Sequence, residues 1–121
     1  MFITFEGPEG SGKSTQIRLL AEHLQSCGFA VEMMREPGGT LIGDQIRNVL
    51  HDTANTAMAA TAEVLLYSAS RAQLVAERIR PAIESGHVVL CDRYADSTIA
   101  YQGYGRGLDF EMLEVLTTIA T

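Results

Sequence analysis

Eight residues near the amino terminus, Gly7-Pro8-Glu9-Gly10-Ser11-Gly12-Lys13-Ser14, constrain this chain more than any other feature. They match the pattern G-x-x-x-x-G-K-[ST]. They stand between a β-rich apolar run, MFITF, and a stretch with Ile17, Leu20, Ala21 and Leu24 at helical spacing. Glycines let such a loop turn successive backbone N–H groups towards one point, a nest for anionic oxygens. The helix that follows adds its positive end. Lys13 has the reach for β- and γ-phosphates, and the Ser14 hydroxyl is placed to ligate Mg²⁺. The segment Gly7 to Thr15 is therefore a candidate ATP-phosphate site, with Mg²⁺ as cofactor.

Along the rest of the chain, strand and helix signals alternate. Gly28 stops the first helix, and FAVEMMR reads as a second strand. After the loop EPGGT, a helix carries Leu41, Ile42, Ile46, Val49 and Leu50, and HDTANTA is a polar connection. A long helix from about Ala57 passes Pro81 and ends near Gly86; HVVLC is a third strand, and Asp109 is placed to cap a last helix, DFEMLEVLTTIA. This order predicts an α/β fold in one domain over 1–121, with a parallel sheet whose apolar strands are covered on both faces. The composition, 46% hydrophobic and 20% charged, is that of a globular domain. A net charge of -6 argues against nucleic-acid binding, which needs excess cations. Lys13 is the only lysine, beside eight arginines. With no secretory signal pattern and no membrane-spanning run, the expected setting is cytoplasmic. Cys27 and Cys91 have no metal-ligand spacing and read as buried or half-buried thiols. The five methionines read as core fillers, and His23, His51 and His87 as surface or helix-end residues.

Two further constellations bear on chemistry. Val88-Val89-Leu90-Cys91 ends in Asp92, and a carboxylate at the carboxyl end of a parallel strand lies where open α/β sheets bind ligands. There it can hold the hydration shell of Mg²⁺. Tyr67 and Arg71 are one helical turn apart, so a ring and a guanidinium could stack on a base and bond its edge. Taken alone, such a pair is more often plain helix surface.

Arg35-Glu36-Pro37-Gly38-Gly39-Thr40, Glu63-Val64-Leu65-Leu66-Tyr67 with Arg71-Ala72-Gln73, Asp92-Arg93-Tyr94, and Ser97-Thr98 with Tyr101-Gln102-Gly103-Tyr104-Gly105-Arg106-Gly107 together resemble bacterial thymidylate kinases in order and spacing. The resemblance implies the P-loop fold of nucleoside monophosphate kinases and transfer of the γ-phosphoryl of ATP to dTMP. It implies that Lys13 and the backbone of Gly10 to Ser14 grip ATP, and that Glu9 faces the 3′-hydroxyl of the sugar. Arg35 and Arg93 would clamp the dTMP phosphate, with Lys13, Arg93, Asp92 and Glu9 the catalytic set and Ser14 and Asp92 the metal-side pair. Tyr67, where the family usually has Phe, would stack on thymine, and Arg71 would meet its exocyclic oxygen. Thr98 and Gln102 would face the base edge, and Tyr101 would crowd the place of a ribose hydroxyl. Gly38-Gly39, beside Arg35, would share in binding substrate. The resemblance also implies a homodimer and a strand order 2-3-1-4-5. Family members run to roughly 200 residues, so the expectation is a chain without its lid and last two strands, with the first strand at an edge. The rivals are another P-loop kinase and a non-catalytic nucleotide-binding module; no NKxD sequence supports a GTPase.

Overall fold

A computed structural model describes residues 1–121. Three parallel strands lie in the order β1-β3-β2: β1 is Phe2–Phe5, β2 Val31–Arg35 and β3 Val88–Asp92. Around them run α1 (Lys13–Ser26), α2 (Leu41–His51), α3 (Ala60–Leu74), α4 (Arg80–Glu84), α5 (Ala95–Thr98) and α6 (Phe110–Ala120). The spatial order has the expected 2-3-1 sequence of neighbours, with β1 paired on one side only.

The central strand explains its own composition. Val88, Val89, Leu90 and Cys91 are all buried, because helices cover both faces of the sheet. Successive side chains of a strand point to opposite faces. Val89 and Cys91 accordingly pack with Met34, Leu74, Val75, Ile79 and Ala82 on one side. Val88 and Leu90 pack with Ile17 and Ala21 of α1 on the other. Each such aliphatic side chain contributes roughly 1.5–3 kcal/mol when fully buried.

Helix ends follow the chemistry of their capping residues. Gly28 has φ 89° and follows Cys27 at the end of α1, where the N–H groups of Gly28 and Phe29 bond the carbonyls of Gln25 and Leu24. Thr40 caps α2 by accepting from the Gly43 N–H at 2.9 Å, and Asp109 caps α6 by accepting from the Met112 N–H at 3.0 Å.

Several expectations need correction. The long helix starts at Ala60 rather than Ala57, and between α3 and α4 it passes through a π-type turn, Val75–Ile79. That turn precedes Pro81, which has no N–H to continue an α-helical ladder. A second π-type segment, Ile99–Gly105, continues α5 where no helix was foreseen. Cys27 is exposed, not half-buried, since it sits at the open end of α1. Of the methionines only Met34 is buried; Met1, just before β1, and Met33, on the edge strand β2, are 72% and 56% exposed.

Candidate active site

The sheet register brings the site together. Phe5 and Arg35 both pair with Asp92, so all three strands end level. The residues that follow them, Glu6 onwards, Glu36-Pro37 and Arg93-Tyr94, therefore emerge side by side at the carboxyl edge of the sheet.

From β1 the chain enters the glycine-rich loop. Gly12 caps α1 with φ 93°, a left-handed conformation that a side chain would strain, and no atom lies within 4 Å of the place its Cβ would take. Backbone, not volume, demands glycine there. The Lys13 ammonium folds back over the loop and donates to the carbonyls of Gly7 and Pro8, each at 2.9 Å. Glu9 through Gly12, Ser14 and Thr15 are exposed.

Beside the loop lies a cleft of about 370 Å³. Its walls include Glu9, Arg35, Tyr67, Arg71, Asp92, Arg93, Thr98, Tyr101 and Gln102, so nine residues singled out in the sequence meet in one place. Arg93 is the only non-glycine residue with positive φ, 68°. Its N–H donates to the Phe5 carbonyl, and the Tyr94 N–H donates to the Glu6 carboxylate at 2.8 Å. Tied on both sides, the turn sends the Arg93 guanidinium over the Tyr101 ring, 5.2 Å from its centroid, and onto Glu9 at 3.0 Å. The hydrogen bond from Arg93, with the nearby charge of Lys13, holds the Glu9 carboxyl below its usual range. Arg35 is exposed and touches Asp44 only loosely, at 3.4 Å.

Arg71 is not helix surface: only 1% of it is exposed. Its Nε donates to both Glu36 carboxylate oxygens at 3.1 and 2.8 Å, and its Nη2 to the Tyr94 carbonyl and the Thr98 hydroxyl. Nη1 alone has no partner in the protein. Burial pushes the Glu36 carboxyl up to about 7, against the pull of Arg71. Asp92 likewise keeps a buried carboxylate oxygen, Oδ1, without a partner.

Gly38 and Gly39 do not line the cleft. The N–H of Gly38 bonds the Ser70 hydroxyl and that of Gly39 the Asp44 carboxylate, so both amides are consumed in holding the loop. Sequence reasoning passed over Glu36, Arg47 and His51, all of which line the cleft. Arg47 donates to the Pro37 carbonyl at 2.8 Å. Burial, with Arg47 and Arg35 nearby, lowers the His51 pKa. A signal existed: Asp44, Arg47 and His51 stand at i, i+3 and i+7 of α2, one polar face opposite the apolar one.

A phosphate-binding loop at the carboxyl edge of a parallel sheet, with an arginine-rich cleft beside it, places this molecule among P-loop proteins with the nucleoside monophosphate kinase fold. Comparison with known proteins narrows the class. Residues 5–120 match the thymidylate kinase family model. Thymidylate kinases of Roseiflexus sp. (strain RS-1) and Geotalea daltonii are 64% and 58% identical over 121 and 120 residues. A crystal structure of thymidylate kinase from Ehrlichia chaffeensis superposes with a TM-score of 0.92 at 42% identity, covering 100% of this chain and 65% of that one. The chain belongs to the thymidylate kinase family. It covers 54% and 56% of those two relatives, about half their length. No helix in the structure is long and apolar enough to cross a membrane.

Proposed function

We propose that this chain carries the acceptor half of a thymidylate kinase, which moves the γ-phosphoryl group of ATP to the 5′-phosphate of dTMP and yields dTDP and ADP. The observation that supports this most is the pairing of Arg35 and Arg93 on one cleft beside the Lys13 loop. Two guanidinium groups suit a phosphate dianion, which they meet with paired, charge-assisted bonds. A nucleoside lacking that phosphate would leave them unmatched.

In this reading Lys13 swings from the Gly7 and Pro8 carbonyls to the β- and γ-phosphates, and the amides of Gly10 to Ser14 receive the oxygens. Tyr67 stacks on the base, and Arg71 offers Nη1 to its exocyclic oxygen. Thr98 and Gln102 meet the base edge, Tyr101 limits the sugar, and Glu9, an ionised acceptor, takes the 3′-hydroxyl. An acceptor phosphate oxygen attacks the γ-phosphorus in line, and the bond to the β,γ-bridging oxygen breaks as ADP leaves. That nucleophile is already anionic, so positioning and charge neutralisation suffice and no general base is needed.

Ser14 and Asp92 would hold Mg²⁺. The unpartnered Oδ1 of Asp92 fits that role, and no group of three His, Cys, Asp or Glu side chains is gathered to cage a metal. This suits an ion that takes one or two protein oxygens and completes its shell with phosphates and water. When bound, Mg²⁺ offsets charge on the transferred group. Family likeness also supports a cytoplasmic homodimer, and the net charge of -6 supports small nucleotides over nucleic acid as partners.

The test is a coupled assay of ADP release by the full-length protein with ATP and Mg²⁺. Release should depend on dTMP and not be restored by thymidine. Equal or faster release with thymidine would move the protein to the nucleoside kinases.

A further inference from the structure

A glutamine side chain presents either a donor or an acceptor, depending on which way its amide is turned, so a glutamine that reads a base edge must be locked. Gln102 is 4% exposed and sits in the π-type segment after α5. Its Nε2 donates to Glu63 Oε1 at 2.9 Å, and its Oε1 accepts nothing from the protein. Glu63 is on α3, one turn before Tyr67 and two before Arg71, yet it does not line the cleft, whereas Gln102 does. Its second oxygen, Oε2, is taken by Arg106 at 2.9 Å.

We propose that Glu63 is a positioning residue for base selection: it draws the Gln102 amino group away from the cleft and leaves the carbonyl oxygen as the group the base meets. A carboxylate accepts and cannot donate. Turning the amide over would set Gln102 Oε1 against Glu63 Oε1, exchanging a charge-assisted hydrogen bond for repulsion between lone pairs. The cleft then shows a fixed pair, a donor at Arg71 Nη1 and an acceptor at Gln102 Oε1. Thymine and uracil carry the complement, a carbonyl next to a ring N–H. Cytosine carries the reverse, an amine next to a bare ring nitrogen. Arg106 holds the other Glu63 oxygen, which leaves Oε1 for Gln102.

The inference rests on the proposed dTMP reading, and the experiment separates the two. In the full-length protein, kcat/KM is measured for dTMP, dUMP and dCMP with wild type, Glu63→Gln, Glu63→Asp and Arg106→Ala. Glutamine at 63 can donate or accept, which frees the Gln102 amide to turn at almost no change in volume. Glu63→Gln should lower the dUMP:dCMP ratio about tenfold, the size of one neutral hydrogen bond lost or gained. The dTMP:dUMP ratio, which reports only the methyl group, and the KM for ATP should stay within about twofold. Arg106→Ala leaves Gln102 its acceptor and should keep the dUMP:dCMP ratio. Should Glu63→Gln not fold, Glu63→Asp, whose shorter arm draws back from the amide, is judged by the same ratio. Wild-type turnover of dTMP with an unchanged dUMP:dCMP ratio in the Glu63 variants overturns this inference alone. Parallel loss on all three nucleotides, ratios intact, also overturns it, since that is plain structural damage. Absence of dTMP turnover in the wild type overturns the reading beneath it.

Discussion

Arg93 sits at the point where backbone and charge meet, and its two roles separate by substitution. The positive φ of 68° belongs to the turn, which the Glu6 and Phe5 contacts hold. The guanidinium belongs to the cleft. Arg93→Ala removes one of the two cations proposed to face the acceptor phosphate, and with it the Glu9 contact, while the Lys13 bonds to the Gly7 and Pro8 carbonyls stay in place. We expect KM for dTMP to rise at least tenfold, from loss of a charge-assisted bond of roughly 1.5–3 kcal/mol, with little change in ATP binding by titration. Equal losses for both nucleotides would show that Arg93 serves the loop rather than the acceptor. Glu36 gives a second prediction. Its carboxyl lies among Arg71 from α3, Glu6 at the end of β1, and the Tyr94 phenol and Cys91 thiol from β3 and its turn. The folded-state value of about 7 exceeds the ordinary value of 4.5, so between these the native state holds a proton that the unfolded chain has released. Stability from this group is present below about pH 4.5 and declines as pH rises through 7. Denaturant unfolding at pH 5 and pH 8 should show this fall in wild type, by up to about 3 kcal/mol, and Glu36→Gln should remove it. A Glu36→Gln difference from wild type that is the same at both pH values would refute it. Arg71 stood out in the sequence but its pairing did not: Glu36 and Arg71 are 35 residues apart, and only the fold makes them neighbours.

At the scale of elements, the junction of α2, α3 and the loop after β2 is tightly packed. A Cβ on Gly43 would come within 2.9 Å of the Thr40 hydroxyl, 3.2 Å of the Gly38 carbonyl and 3.2 Å of the Ser70 hydroxyl. Two of those atoms are already engaged, Thr40 in capping α2 and Ser70 in holding Gly38. Gly43→Ala should therefore destabilise the fold by about 1–3 kcal/mol despite the helix preference of alanine, through overpacking and loss of the cap. A thermal midpoint equal to wild type would mean that the junction can open without penalty. The elements that were legible, β1 to β3, α1, α2 and α6, have apolar residues at their own period and a glycine, threonine or aspartate at a boundary. The stretch 95–105 has a glycine at its end but no such period. Its π-type turns follow no α-helical period, and Gly103 is there because a Cβ would lie 2.8 Å from the Phe110 ring. That is a tertiary reason, invisible along the chain.

For the molecule as a whole, the question is how a chain of net charge -6 would gather the anionic substrate proposed for it. The answer is segregation: Arg35, Arg47, Arg71 and Arg93 all line one cleft, and of these only Arg71 is paired with a buried carboxyl group. The glycine-rich motif pointed to its loop from sequence alone, because its chemistry is local, and the loop opens at the carboxyl edge of the sheet as expected. The cleft residues were singled out through motif likeness, since they come from separate segments that meet only in the fold, where the strands end level. Such a cleft acts on a phosphate over distances that salt screens, with a Debye length of about 10 Å at 0.1 M and about 3 Å at 1 M. Raising salt from low millimolar to about 0.5 M should weaken dTMP binding roughly three- to tenfold by calorimetry in the full-length protein. Thymidine shares the base and sugar contacts but carries no charge, so its affinity should hold nearly constant over the same range. Were both ligands to respond alike, the salt effect would belong to the fold rather than to the phosphate, and the arginines of the cleft would be neutralising the protein's own carboxylates instead of waiting for a substrate.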